Sequence, residues 1–285
     1  EADVFFPGYK TSDATSFNRQ FNVVSLFAMC SASTDDGGER QPDDTTWYST
    51  DNVNFQVQAI KNSESDYKNV YFKLTSSRPP DGTAADVELP FPTMTSSVFE
   101  GVYNNTNWHL SVRLKPTNFG VTNWVTGASG NDYKYELTFE GRNHVLGTIQ
   151  NSFTTSSLVS QAVGHNFLKA AKRMSVGAYR TNITGSLELK SDVLFNNVKY
   201  WTTYLDDYSL DQHAYDLDNS GISGSWKSVT PLDPNLAPPN RGAGWEAGDG
   251  GVSGSITKAN MLSLDWRFTN VTSSDSNGSF YVQDY

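Results

Sequence analysis

Residues 173–214 read RMSVGAYRTNITGSLELKSDVLFNNVKYWTTYLDDYSLDQHA, and this stretch decides the fold. Met174 to Tyr179 has the period-2 alternation of a short strand. Thr181 to Gly185 follows as a turn, with Asn182 and Gly185 suited to positive φ. A longer strand is predicted from Val193 to Tyr204, with Leu194, Val198, Tyr200 and Tyr204 on one face. Leu205 to Ala214 then reads as a polar turn and a short helix, capped by Ser209 and carrying Asp211 in its first turn.

Working outward, other segments repeat the strand pattern. Phe21 to Cys30 is an apolar strand, and its single cysteine rules out an internal disulfide. Cys30 is expected to be a buried, inert thiol. Asn54 to Ile60 and Val70 to Thr75 flank a polar turn and predict an antiparallel hairpin. The prolines from Pro79 to Pro92 mark a rim loop, since proline removes ladder donors. Strand character resumes at Val98 to Tyr103, at Trp108 to Leu114 and at Tyr135 to Gly141. Val163 to Lys172 has room for a turn or two of helix.

Strand, turn, long strand ending in an aromatic, then Leu205-Asp206-Asp207-Tyr208-Ser209-Leu210 resembles the closing signature of laminin-G-like, concanavalin A-type domains. Trp108-His109 with its alternating strand, and Tyr135 to Gly141 ending at glycine, resemble two further family features, in the family's order. The resemblance covers about Asp3 to Asn219 and implies an all-β, concanavalin A-like two-sheet jelly-roll sandwich with one short helix and a C-terminal β extension. Residues 1–219 are thus expected to form the sandwich, 220–251 a Gly/Pro-rich linker or arm, and 252–285 a β-hairpin extension or the start of a following domain.

The chain has 285 residues and a formal charge of −10, which argues against a nucleic-acid footprint. No apolar run reaches membrane-span length, and the first residues lack a signal peptide's charged and apolar regions. A processed product or a piece of a longer polypeptide is expected.

Catalytic signals are sparse. Sandwich-fold glycosidases carry Glu-x-Asp-x-x-Glu on one strand; Glu64-Ser65-Asp66 begins that pattern, but position 69 is Asn and the stretch reads as a turn. No catalytic residue is assigned. The four histidines lack zinc spacing; His109 is expected to be structural and His213 to lie on the exposed face of the short helix. Asp216 to Gly221 begins like a calcium loop, but position twelve is Lys227 rather than Glu. No cofactor is expected; because some laminin-G-like domains bind calcium at the rim, Asp206, Asp207 and Asp216 are its candidate ligands. Tyr103, Trp124 and Trp245 lie in loop-like settings and are the candidate glycan contacts. Four Asn-x-Ser/Thr sites begin at Asn104, Asn182, Asn270 and Asn277.

The functional expectation is a non-enzymatic surface recognition or structural module, part of a virion or other extracellular assembly, with subunits of a particle or filament and glycans as partners. Asn54 to Val57, Val70 to Leu74, Val198 to Trp201 with Tyr204 to Asp207, Leu264 to Phe268 and Phe280 to Tyr285 resemble laminin-G-like segments of large virion proteins of marine tailed phages. A secreted or cell-surface carbohydrate-binding module is the second reading, and a glycoside hydrolase the third. The tail is expected to dock outside its own sandwich, burying Leu262, Leu264, Trp266 and Phe268 in an assembly contact.

Overall fold

Alternating side chains build two antiparallel sheets whose apolar faces meet. The computed structural model describes residues 1–8, 22–31, 54–63, 65–76, 91–117, 134–169, 172–180, 187–202, 204–217, 262–268 and 283–284. In chain order the elements are β1 (Ala2–Phe6), β2 (Val23–Ser31), β3 (Asn54–Lys61), β4 (Val70–Thr75), β5 (Met94–Thr95), β6 (Thr106–Pro116), β7 (Tyr135–Val145) and β8 (Thr148–Val159). Then come α1 (Gln161–Lys169), β9 (Lys172–Val176), β10 (Ala178–Arg180), β11 (Leu187–Lys190), β12 (Leu194–Trp201), α2 (Asp207–Tyr215), β13 (Leu262–Arg267) and β14 (Gln283–Asp284).

One sheet runs β14-β13-β12-β1-β6-β7-β8 and the other β5-β4-β3-β2-β9; β10 and β11 form a separate pair. Ala2, Val4, Phe6, Trp108, Leu110, Leu137, Phe139 and Val198 from the larger sheet share one buried cluster with Phe27, Phe55, Val57, Phe72 and Leu74 from the smaller. Face-to-face packing explains that sharing. Of the ten core positions the alternation predicts, Phe55, Val57, Phe72, Leu74, Leu110, Leu137, Phe139 and Val198 are buried, whereas Val112 and Tyr200 are only partly so. Both line one cavity.

Several expectations shift. The predicted hairpin forms, with Gln58 opposite Lys73 and Lys61 opposite Val70. Val98 to Tyr103 is a turn rather than a strand, touching the sheet through one bridge between Val70 and Phe99. Gly141 does not end its strand. It lies mid-β7 opposite Leu110 and Phe153, where a Cβ would sit 2.7 Å from a Leu110 methyl and 2.5 Å from the Phe153 ring. β7 then turns through Leu146 and Gly147, both at positive φ, into β8. That is the two-residue primed hairpin turn.

In β12, Val4 pairs with Phe195 while Asp3 pairs with Asn197, so Asn196 is an extra residue. Such a bulge exchanges the faces of the residues before it. Leu194 is therefore exposed, and Phe195 packs against the core instead. At α2 the cap is Asp206, not Ser209: its carboxylate accepts from the Ser209 amide at 2.8 Å and the Ser209 hydroxyl at 2.6 Å. The first-turn acid is Asp207.

The tail does not dock away from its sandwich. β13 adds to β12 as the next antiparallel strand, with Trp266 opposite Val198, Leu264 opposite Tyr200 and Leu262 opposite Trp201. All three side chains are half-buried, and the Phe268 ring lies 6.1 Å from that of Phe195. The physical reason is that β12 otherwise presents an unpaired row of backbone donors and acceptors to the chain's own strand.

Candidate functional site

The outward positions of the larger sheet carry charge instead of meeting solvent. On β1, β6, β7 and β12 these are Asp3, His109, Ser111, Arg113, Glu140, Arg142, Asn197 and Lys199, all buried. Their cover is α2, which lays Leu210 and His213 onto this face. Charges removed from water need partners, and the sheet register supplies them.

Arg113 is the hub of one half. Its Nε lies 2.6 Å from Glu140 Oε1, its Nη1 donates to the Leu205 carbonyl at 2.8 Å, and its Nη2 donates to Asp207 at 2.6 Å. Arg142 Nη1 approaches the other Glu140 oxygen at 3.1 Å, and its Nε donates to Asp211 at 2.6 Å. Ser111 donates to Glu140 as well, at 3.0 Å. Both arginines thus join the sheet to α2 through the Glu140 carboxylate and the helix's own acids.

Glu1 is the hub of the other half. One carboxylate oxygen accepts from Trp201 Nε1 at 2.9 Å and lies 2.8 Å from His213 Nδ1; the other lies 3.5 Å from His109 Nε2. The Trp201 and His213 rings stack, 18° from parallel. Burial would push the Glu1 carboxyl up, but the His213 and His109 imidazoles beside it hold it well below the usual carboxylate range. His109 also meets Asp3. Burial would lower its pKa, yet the Asp3 and Glu1 carboxylates more than offset that and raise it to about 9.

His213 is thus fully buried, not on an exposed helix face. Its helical position predicts exposure only if α2 lies free, whereas α2 turns that side toward Glu1. α2 shows little apolar contrast around its circumference, so the face it buries is not legible from its residues alone.

Tyr103 is fully buried, so neither face of its ring is open to a sugar. Its hydroxyl donates to Asp192 at 2.6 Å, and Lys61 Nζ lies 2.6 Å from the same carboxylate and 4.6 Å from the ring centroid. Trp124 and Trp245 lie outside the described residues, as do residues 218–261. Asp66 sits in the β3–β4 turn, accepting from Asn62 and Asn69, so this stretch is no catalytic strand. Asp206 and Asp207 stand at the start of α2 and Asp216 at its end. A nine-residue helix is about 13 Å long, so the three cannot share one calcium ion. Among the described residues no group of three or more His, Cys, Asp or Glu side chains is placed to hold a metal ion. No described helix is long and apolar enough to cross a membrane.

Comparison of the chain with family models, with curated proteins and with solved structures found no match.

Proposed function

We propose that this chain is a non-enzymatic recognition or structural module, a concanavalin A-like jelly roll of the laminin-G-like kind within a virion or other extracellular assembly. One observation carries the non-enzymatic part. The carboxylates gathered on the larger sheet, Glu1, Asp3 and Glu140, are paired with His109, His213, Arg113 and Arg142 and roofed by α2. Glycoside hydrolysis needs two carboxyl groups that a substrate and a water can reach, and these hold a helix to a sheet.

The sandwich and its closing helix support the fold reading. The resemblance of Asn54 to Val57, Val70 to Leu74, and Val198 to Trp201 with Tyr204 to Asp207, to virion segments supports the location. Glycans remain the expected ligand class, contacted by loop aromatics. The test presents the protein to an oligosaccharide panel and measures retention together with released reducing ends, alongside antibody labelling of intact particles from the source. Retention or particle labelling without turnover is the expected result; glycan hydrolysis that survives further purification overturns the proposal.

A further inference from the structure

Leu146 is both strained and fully exposed. It turns β7 into β8 at φ +50°, a left-handed conformation that asparagine and glycine adopt more easily than leucine. Its side chain meets nothing but solvent. Neither property helps the fold, and a residue held against its local preference points to a function outside the fold.

Leu146 has apolar company. Val145 and Ile149 beside it are 43 % and 38 % exposed. His144 stands opposite Ile149, and the exposed Tyr215 ring at the end of α2 lies 4.1 Å from the imidazole. The ladders carry this end of the sheet across to β12: Asn143 pairs with Trp108, Asn107 with Phe5, and Phe5 with Leu194. Phe5 is half-buried on the outward face that it shares with Asp3, and Leu194 is 61 % exposed. The outward face of the sheet is thus charged where α2 covers it and apolar or neutral at this uncovered end. From Leu194 to Ile149 the band crosses five adjacent strands, about 19 Å.

Charge, size and shape together say what covers it. No Asp, Glu, Lys or Arg occurs from Asn143 to Leu168, in a chain with 31 acidic and 21 basic residues. Burial, with the charge of His109, pushes the His144 pKa below its ordinary value, so that ring is neutral as well. A charged partner finds nothing here to pair with. The apolar side chains named are also far fewer than the roughly 20–30 residues a side of a stable protein contact. Leu146 projects from a hairpin tip, and a fluid apolar phase accepts a projecting side chain without a matching socket. Tyr215 behind it combines a ring with a hydroxyl, the pairing that suits the level of lipid headgroups.

We infer that this end of the larger sheet seats on a phospholipid surface with neutral headgroups, Leu146 entering the acyl boundary and Tyr215 resting among the headgroups. Such seating is interfacial and spans nothing. It is independent of glycan recognition by loops, and either can fail without the other.

The test is flotation of the intact chain with phosphatidylcholine vesicles over a lipid titration. The parent chain is expected to float with the vesicles. Leu146→Asn suits the left-handed turn, so it should melt no lower than the parent. It should nevertheless partition about tenfold less, as the loss of one buried leucine side chain requires. Leu158→Thr removes another exposed leucine near the far end of β8, about 30 Å away, and should leave partitioning unchanged. Absence of parent flotation overturns the inference, as does flotation that Leu146→Asn leaves intact or that Leu158→Thr lowers equally. Flotation that requires phosphatidylserine in the vesicles would show attraction by charge and overturns it too. Self-association without lipid that Leu146→Asn abolishes would assign the band to a second copy, which also overturns it.

Discussion

Asp3 and His109 stand directly opposite one another on β1 and β6, and the Asp3 carboxylate lies 2.9 Å from the His109 Nδ1. Both side chains point out of the sandwich core and are nevertheless buried, because α2 and the chain around it cover this face of the sheet. The pair makes folding sensitive to pH in a window set by the imidazole.

The folded pKa of His109 is about 9 against an ordinary 6.5. A raised folded pKa means that the charged imidazole stabilises the fold fully below about pH 6.5 and loses that contribution as pH rises through about 9. The contribution is on the order of 3 kcal/mol. Denaturant midpoints should therefore fall across that window in the parent chain. In His109→Asn the fall should be much smaller, and an unchanged slope would show that another group titrates there.

Glu140 lies between two guanidinium groups, 2.6 Å from Arg113 and 3.1 Å from Arg142. Glu140→Gln leaves both cations buried with one partner fewer and should cost about 3–5 kcal/mol. The loss should appear first at α2, because Arg113 and Arg142 are two of its links to the sheet. Exchange rates of α2 amides that rise before global unfolding check this; uniform loss across both sheets would contradict it.

Phe139 is fully buried, with its ring 5.0 Å from that of Phe153. Truncation to alanine should cost about 3–5 kcal/mol by loss of burial and opening of a cavity. A melting temperature equal to the parent's would mean that the inner face of β7 is wrongly assigned.

Removal of residues 262–285 should leave the sandwich folded, because β12 keeps its ladder with β1. The freed edge of β12 exposes the backbone that β13 covers, so the truncated chain should self-associate as concentration rises. Sedimentation at several concentrations measures this; a truncated chain that stays monomeric contradicts it, and one that unfolds shows β13 to be part of the core.

The sequence alone carried much of the sandwich. Phe55, Val57, Phe72 and Leu74 alternate in two segments joined by a polar turn, and the period of two leaves one face for the core whatever the rest of the chain does. The strand at Trp108 to Leu114 is legible for the same reason, and the helix after Leu205 is legible in place though its cap is Asp206 rather than Ser209. β1 and β8 are not legible in this way: one is five residues long, and the other is so rich in Thr and Ser that neither face stands out. The order of strands in each sheet, the bulge that trades Leu194 for Phe195, and the docking of β13 on β12 depend on pairings between segments far apart in the chain. The charged network depended on them most. Asp3 and His109 are 106 positions apart, and Glu1 and His213 are 212 apart. An outward-facing charge looks the same in sequence whether it meets water or a partner, and only the placement of α2 decided between the two.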